Sequence, residues 1–247
     1  MKVTKMEGCG NDFVMVEINE AKNWELNELA KKLCNRHYGV GADGAIFVKK
    51  DPVEFVYYNS DGSYSPFCGN GMRCFAKYCV DRKIVEEKRF TVKCDQWNVM
   101  CEVEEDKVTV NIPSVEIEHN EIDGELIVVC GSKHKVIEVE SLDEQEEKQS
   151  NRYNLSYVKV VDEQTIMIKT IERGAGPTLA CGSGSYASAL KINKKKKMMD
   201  RIMVKNPGGN VEIDIKKKTI TGSADNIFEG EVNETALKRE ESAYKRG

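Results

Sequence analysis

The 247-residue sequence lacks the patterns that mark metal-binding, membrane and secreted proteins. It has three histidines and no Cys-x-x-Cys pair, so we expect no zinc site. No apolar run reaches the length of a membrane span, and the opening residues MKVTKMEG lack the apolar core of a signal peptide. A dinucleotide fingerprint, a phosphate-binding loop and a metal triad are also absent. We therefore expect a cytoplasmic protein without a cofactor, a metal or a membrane partner.

The sequence also lacks a large excess of one charge. Its 37 basic and 41 acidic residues give a formal net charge of −4 and are mixed along the chain. A nucleic acid is therefore not an expected partner. The lysine run at 194–197 follows a predicted helix, where cations interact favourably with the helix dipole, so it indicates a solvated helix end.

Cysteine is the residue that the chain has in unusual number. Nine cysteines, an odd number, without a secretion signal are not expected to form a disulfide framework. Most of them lie among apolar neighbours, where a free cysteine behaves as a small buried side chain. We expect this structural role for Cys9, Cys34, Cys74, Cys79, Cys94, Cys101 and Cys130.

The other two cysteines open similar motifs. Residues 67–77 are FCGNGMRCFAK and residues 180–190 are ACGSGSYASAL, so Cys68 aligns with Cys181 and two glycines follow each of them. Both motifs stand where a helix is predicted to begin. A single match of this kind is weak evidence, but it suggests a search for further similarity on either side.

The similarity extends beyond the two motifs. Downstream, 89–103 aligns with 201–215, and upstream, 5–17 loosely aligns with 127–140. Similar segments in the same order and at nearly the same offset indicate an internal duplication. The chain is therefore predicted to consist of two copies of one unit.

Each copy is rich in strand patterns and has one central helix after its cysteine. Apolar residues at helical spacing predict this helix over 72–80 and 184–193, and a further helix over 25–36. Alternating apolar residues predict strands over most of the rest. We expect an α+β fold of two pseudo-symmetric domains. The first domain is expected at 1–115 and the second at 116–235. A charged tail at 236–247 is expected to pack back on the first domain.

A cysteine in the first turn of a helix lies at the positive end of the helix dipole, beside backbone N–H groups without partners. We expect this position to lower the thiol pKa from about 8.5 toward neutral. The glycines that follow allow backbone N–H groups to bind an anion such as a carboxylate. If the two copies face each other, one thiolate can remove a proton from a carbon and the other thiol can return one with inversion.

Two other classes of function stay open from the residues alone. Two facing thiols could form a disulfide in a thiol-redox protein, although a Cys-x-x-Cys motif and a thioredoxin-like pattern are absent. A binding module of the same fold without catalysis is the third class.

Several motifs resemble those of one known family. In chain order they are KMEGCGNDFV, RHYGVGADG, YYNSDGS, CGNGMRC, ERGAG and ACGSGS. Together they resemble the diaminopimelate epimerases, which are pyridoxal-independent amino-acid epimerases and racemases, and the resemblance covers nearly the whole chain. It implies an isomerase without a cofactor. It also implies a strand barrel around a central helix in each domain, with the site between the domains.

The resemblance implies roles for individual residues as well. Cys68 and Cys181 would be the base and the acid, with Glu172 and His134 beside them at the reacting centre. Backbone N–H groups that hold the α-carboxylate would come from Gly69, Asn70, Gly182 and Ser183. Further contacts to the substrate would come from Asn11, Asn59, Asn154, Glu172 and Arg173. The expected partner is a small amino-acid substrate, and a homodimer is an open alternative to a monomer.

One motif departs from the family pattern. Diaminopimelate epimerases usually have Gly-Asn-Pro-His where this chain has GSKH at 131–134. The missing asparagine would hold the distal carboxylate of diaminopimelate, and Ser132 or Lys133 could replace part of that recognition. We expect epimerisation of LL- to meso-diaminopimelate. Racemisation of another amino acid, such as histidine, is the alternative.

Overall fold

The computed structural model describes residues 1–143, 145 and 149–238, which form one mixed sheet of 18 strands around two central helices. The first strands are β1 (Lys2–Gly8), β2 (Asn11–Glu17), β3 (Gly44–Lys50), β4 (Val53–Asn59), β5 (Tyr64–Ser65), β6 (Arg89–Cys94), β7 (Trp97–Glu104), β8 (Lys107–Asn111) and β9 (Val115–Asn120). They are followed by β10 (Gly124–Val129), β11 (Ser132–Glu138), β12 (Asn154–Val160), β13 (Thr165–Glu172), β14 (Gly176–Thr178), β15 (Arg201–Asn206), β16 (Gly209–Asp214), β17 (Thr219–Ser223) and β18 (Asp225–Glu231). The helices are α1 (Leu26–Cys34), α2 (Gly69–Asp81), α3 (Gly182–Lys196) and α4 (Glu234–Leu237), with a 3₁₀ turn at Ile18–Ala21.

The two copies share a topology. The β1–β2 hairpin turns at Cys9 and Gly10, the β10–β11 hairpin turns at Cys130 and Gly131, and all four residues have positive φ. A two-residue turn in this conformation matches the twist of antiparallel strands. The second strand of each hairpin then pairs in parallel with the next strand, β2 with β3 and β11 with β12. The predicted α+β fold of two similar barrels is confirmed.

The central helices lie inside these barrels. α2 packs on β1, β2, β7 and β8, and α3 packs on β10 to β13, β15 and β16. The predicted apolar stripe of α2 is fully buried at Met72, Phe75, Ala76 and Cys79. α3 continues beyond its predicted end at 193 and stops only where Lys197 adopts a left-handed cap with φ of 52°.

Strand pairing joins the two copies. β17 pairs antiparallel with β8, and β18 pairs antiparallel with β1. The chain therefore returns from the second copy to the sheet of the first before its end. One core cluster contains buried residues of both central helices. The division of the chain between residues 115 and 116 stays a prediction.

Apolar alternation does not predict β14 or β18, whose sequences are GPT and DNIFEGE. Every residue of β18 is exposed, and the strand is held by its ladder to β1. A strand without a buried face has no period-two pattern, because that pattern arises from the burial of alternate side chains.

The described part of the C-terminal segment packs on the first copy. Leu237 of α4 is buried in a cluster that includes Val3 and Val14. The indole Nε1 of Trp24 donates a hydrogen bond to Glu234 at 3.1 Å. Leu237 belongs to the predicted tail, and Glu234 lies just before it.

Residues 239–247 of the predicted charged tail lie outside the described residues, as do residues 144 and 146–148 between β11 and β12. Among the helices in the described ranges, none is both long and apolar enough to cross a membrane.

Replacement of Phe75 tests how much the core around α2 contributes to the free energy of unfolding. Its side chain has no exposed surface, and its ring lies 5.5 Å from the ring of Phe55 between centroids. Phe75→Ala leaves a cavity, so we expect the free energy of unfolding to fall by about 3–5 kcal/mol. Phe228→Ala is the matched control, because Phe228 is 45% exposed on β18 and its loss should cost less than about 1 kcal/mol. Urea unfolding followed by circular dichroism measures both, and equal losses would contradict this account of the core.

Candidate active site

Two cysteines occupy the same position at the start of two helices. Cys68 is the N-cap of α2 and Cys181 is the N-cap of α3, both with extended backbone. The Cys68 Sγ accepts a hydrogen bond from the Gly71 N–H at 3.4 Å, and the Cys181 Sγ accepts one from the Gly184 N–H at 3.4 Å. Each thiol thus takes the position that a serine or aspartate side chain usually takes at an N-cap. The duplicated motif has folded into a duplicated local structure.

The first turns of the two helices touch. A Cβ on Gly182 would lie 3.5 Å from the Gly69 Cα, and a Cβ on Gly69 would lie 3.8 Å from the Gly182 Cα. The Asn70 Nδ2 donates to the carbonyl oxygen of Ala180 at 3.2 Å. Because the helix starts are in contact, their unpaired N–H groups and their N-cap thiols belong to a single site.

Burial controls the ionisation of both thiols. It raises the pKa of Cys68 to about 11, although hydrogen bonds from Gly71 and Asn70 act in the opposite direction. Burial also raises the pKa of Cys181 well above its usual value, and the neighbouring Glu172 adds to this increase. The expectation of a thiol pKa near neutral is therefore wrong for this structure, because desolvation outweighs the helix N-terminus.

Glu172 lies beside the second cysteine at the end of β13. Its Oε1 accepts a hydrogen bond from the Thr178 hydroxyl at 2.8 Å. Burial raises the pKa of Glu172, while hydrogen bonds from Thr178 and from the Cys181 thiol lower it. The structure thus brings Glu172 to Cys181, as the resemblance implies.

His134 reaches Cys181 through a serine. Its Nε2 lies 3.0 Å from the Ser183 Oγ, and the Ser183 Oγ lies 3.5 Å from the Cys181 Sγ. The imidazole is fully buried, and its Nδ1 has no hydrogen-bond partner among the residues that the structure describes. Burial lowers the pKa of His134 to about 3, so the ring is neutral near pH 7.

Asn11 lies beside the first cysteine. Its Oδ1 is 3.9 Å from the Cys68 Sγ and accepts a hydrogen bond from the Asn70 Nδ2 at 3.3 Å. Its Nδ2 donates to Asp43 at 2.8 Å. The two cysteines therefore have different side chains around them, although their backbones match.

The Asn59 side chain forms hydrogen bonds with β4 and with the turn that follows it. Its Oδ1 accepts a hydrogen bond from the Tyr57 hydroxyl at 2.9 Å, and its Nδ2 donates to the Ser63 hydroxyl at 2.9 Å. The turn position follows from the Asn-Ser-Asp-Gly sequence. The Tyr57 ring connects this turn to the core under Cys68.

Asn154 and Arg173 lie together at the edge of the second copy. The Asn154 Oδ1 accepts a hydrogen bond from the Arg173 backbone N–H at 2.8 Å. The Arg173 side chain is exposed and lines a surface cavity of 860 Å³. Other residues that line this cavity are Gln149, Ser150, Asn151, Tyr153, Leu155, Tyr157 and Gly174. Contacts between described residues join Arg173 to Asn154 but not to either cysteine.

Lys133 does not replace the recognition that the missing family asparagine would supply. It precedes the inward-facing His134 on β11, and its Nζ forms an ion pair with Glu118 at 2.7 Å on the surface. Successive side chains of a strand point to opposite faces, which explains this orientation.

The sequence patterns do not single out two charged residues near Cys68. Asp43 lies in the loop before β3, where the turn formers around it suggest only a turn. Arg73 is fully buried within α2 and donates to the Asn70 Oδ1 at 3.1 Å and to the Ser223 carbonyl at 3.1 Å. A charged residue next to an apolar helical stripe is the signal that points to Arg73.

The described residues contain no group of three or more side chains arranged to hold a metal ion. All nine cysteines are free thiols in the structure.

Comparison with known proteins identifies the family. The family model described as diaminopimelate epimerase matches residues 3–117 and 126–227. The diaminopimelate epimerase of Clostridium perfringens is 34% identical over 268 residues, which covers 93% of this chain and 98% of that protein. The diaminopimelate epimerase of Methanocaldococcus jannaschii is 33% identical over 272 residues, which covers 87% of this chain and 92% of that protein.

Solved structures show the same fold at lower identity. A PhzF-family phenazine biosynthesis protein of Bacillus anthracis superposes with a TM-score of 0.73 at 15% identity, covering 94% of this chain and 99% of that one. A probable proline racemase of Agrobacterium radiobacter K84 gives a TM-score of 0.69 at 12% identity, covering 94% of this chain and 92% of that one. With both cysteine motifs inside the matched family ranges, this chain belongs to the diaminopimelate epimerase family and is an isomerase.

Proposed function

We propose that this protein inverts the configuration of an amino-acid α-carbon by moving protons between two thiols, Cys68 and Cys181. The proposed substrate is LL-diaminopimelate and the product is meso-diaminopimelate. The observation that carries the proposal is the repeated N-cap geometry at two helix starts that touch. An inversion by two acid–base groups requires two such groups at one binding position.

The substrate α-carboxylate would bind between the two helix starts. First-turn N–H groups have no partner inside the helix, and the dipole favours an anion there. Gly69, Asn70, Gly182 and Ser183 supply such groups. As the α-proton leaves, negative charge spreads from the carbon to the carboxylate, where these N–H groups stabilise it.

The proton transfers balance without any further reactant. The thiolate of one cysteine takes the α-proton, and the electron pair of the C–H bond stays on the substrate. The thiol of the other cysteine gives its proton to the opposite face of the carbon, which completes the inversion. The two sulfur atoms have then exchanged their protonation states, so the reverse reaction uses the same groups in exchanged roles.

Glu172 is the candidate acceptor for the proton that must leave a thiol first. Both thiols have raised pKa values, so both are protonated near neutral pH in the substrate-free protein. Glu172 interacts with the Cys181 thiol, and burial raises the pKa of this carboxyl, which thus lies closer to that of a thiol. Ammonium groups of a bound substrate would favour the thiolate further.

Neutral His134 would act through Ser183. Its imidazole lies 3.0 Å from the Ser183 hydroxyl, which itself lies 3.5 Å from the Cys181 sulfur. A hydrogen bond from this hydroxyl to sulfur stabilises the thiolate form of Cys181. In this role His134 orients a donor and carries no charge.

The choice of substrate rests on the named relatives and on the retained side chains. Two diaminopimelate epimerases are 34 and 33% identical to this chain over most of their length. Asn59, Asn154 and Arg173 are present, whereas Lys133 is turned to the surface ion pair with Glu118. That departure favours, as the second candidate, a racemase of another polar amino acid such as histidine.

Substitution of the cysteines tests the mechanism. Cys68→Ala and Cys181→Ala each remove one acid–base group, so we expect kcat/KM for epimerisation to fall by at least about 10²–10⁴-fold. The serine variants should retain only slow turnover, because a hydroxyl is a much weaker acid than a thiol. Cys34→Ala is the matched control. Cys34 is the last residue of α1 and is buried in the core cluster around that helix, so its replacement should leave activity unchanged. Wild-type turnover by the Cys181→Ala variant would contradict the two-thiol mechanism.

Hydrogen exchange in heavy water tests the substrate. With purified protein we expect deuterium at the α-carbon of LL- and meso-diaminopimelate and none in histidine or other single-centre amino acids. Mass spectrometry measures the incorporation, and Cys181→Ala protein is the control for background exchange. Deuterium exchange into histidine without exchange into diaminopimelate would favour the second candidate function, an amino-acid racemase. No exchange into any amino acid would favour the thiol-redox class.

The pH dependence of alkylation tests the state of the thiols. Iodoacetamide reacts with the thiolate, and below a raised pKa the thiolate fraction grows about tenfold for each pH unit. We therefore expect the alkylation rates of Cys68 and Cys181 in the substrate-free protein to rise in this way from about pH 7 to 9 without a plateau. Peptide mass spectrometry separates the two sites. A plateau near pH 7 would show that the helix N-terminus outweighs burial.

A further inference from the structure

Two side-chain amides connect a carboxylate to a guanidinium beside Cys68. The Asp43 Oδ2 accepts a hydrogen bond from the Asn11 Nδ2 at 2.8 Å. The Asn11 Oδ1 accepts one from the Asn70 Nδ2 at 3.3 Å. The Asn70 Oδ1 accepts one from Arg73 at 3.1 Å. These four residues are called the amide chain below.

The ends of the amide chain determine the orientation of both amides. A carboxylate only accepts hydrogen bonds and a guanidinium only donates them. The Asn11 nitrogen must therefore face Asp43, because the reversed amide would place two acceptor oxygens 2.8 Å apart. In the same way the Asn70 oxygen must face Arg73.

Both ends are themselves fixed. Asp43 forms an ion pair with Arg36 at 2.9 Å and accepts the Asp12 backbone N–H at 3.2 Å. Arg73 is fully buried and donates to the Ser223 carbonyl at 3.1 Å. The orientation of the amides thus rests on two anchored charges rather than on the amides alone.

The amide chain presents an acceptor to one cysteine. With its nitrogen turned to Asp43, Asn11 places its Oδ1 3.9 Å from the Cys68 Sγ, where it can accept the thiol proton. A hydrogen bond to the protonated form disfavours the thiolate. Cys181 has a different environment, since its sulfur lies next to the Ser183 hydroxyl.

We propose that Asp43 is a positioning residue that, through Asn11, holds a hydrogen-bond acceptor against the Cys68 thiol and keeps its proton on sulfur in the substrate-free protein. Its importance for turnover rests on the proposed function of Cys68 as an acid–base group. The protonation of the thiol itself does not depend on that function and can be measured separately.

Other titratable and charged groups also face Cys68 and must stay constant in the test. They are Arg73 and Cys74 on its own helix, Glu172 at the end of β13, Tyr57 on β4, Cys94 on β6 and Cys181 at the start of α3.

Asp43→Ala tests the anchoring of Asn11. The variant lacks the carboxylate oxygen that accepts the Asn11 Nδ2 hydrogen bond at 2.8 Å. The Asn11 amide is then held only by Asn70 and no longer keeps its oxygen against the Cys68 thiol, so the protonated form loses a stabilising hydrogen bond. We expect the alkylation rate of Cys68 at pH 7.5 to rise about tenfold, which corresponds to the loss of one hydrogen bond. The epimerase kcat/KM should fall by a similar factor.

Asp95→Ala is the matched control. Asp95 is an exposed turn residue that accepts a hydrogen bond from the Tyr64 hydroxyl at 3.2 Å, and its replacement makes the same change of charge. The alkylation rate of Cys68 should stay at the wild-type value. Thermal unfolding of both variants establishes that they are folded.

A double-mutant cycle separates action through Asn11 from action through space. Asn11→Ala alone removes the acceptor and should also raise the alkylation rate of Cys68. Asp43→Ala in the Asn11→Ala background should then have no further effect. An equal effect of Asp43→Ala in both backgrounds would overturn the proposal, because the carboxylate would then act by its charge alone. An unchanged alkylation rate in both single variants would overturn it as well.

The two proposals fail in different ways. If wild-type protein does not exchange α-hydrogens but Asp43→Ala raises the alkylation of Cys68, the proposed function fails and the positioning role stands. If wild-type protein is an epimerase and the alkylation of Cys68 does not respond to Asp43→Ala, the positioning role fails and the function stands.

Discussion

The contact between the first turns of α2 and α3 is the constraint on which the rest of the site depends. Backbone meets backbone at Gly69 and Gly182, and a Cβ on Gly182 would lie 3.3 Å from the Asn70 Oδ1. Because of this contact, the unpaired N–H groups of both helices and both N-cap thiols share one site. The strand pairs β8–β17 and β1–β18 tie the two copies together and so maintain the contact.

Two opposing effects act on the thiols at this contact. The helix N-termini favour thiolates, whereas burial favours neutral thiols, and burial is the larger effect at both positions. Two neighbouring thiolates would repel each other, and a two-thiol inversion needs one thiol and one thiolate at a time. A site that keeps both protons until charged substrate groups arrive satisfies this requirement. The low dielectric that raises the pKa values also strengthens the interactions of those substrate groups.

The duplication is retained in the backbone and lost in the side chains around it. Cys68 and Cys181 have the same cap geometry, yet the first lies next to the Asn11 amide and the second next to the Ser183 hydroxyl. Under the proposed mechanism such a difference is expected, because the two faces of a stereogenic carbon present different groups. The common backbone places a thiol at each helix start, and the side chains beside each thiol differ.

The local features could be predicted from the amino-acid sequence: the cysteine at the start of each central helix, the buried stripe of α2 and the order of most strands. Each of these depends on neighbouring residues, through capping or through the burial of regularly spaced side chains. Four features became visible only in the folded chain: the thiol pKa values, the surface ion pair of Lys133, the hydrogen bond between Asp43 and Asn11, and the pairing of β18 with β1. These features depend on desolvation and on partners distant in sequence, which local patterns do not specify.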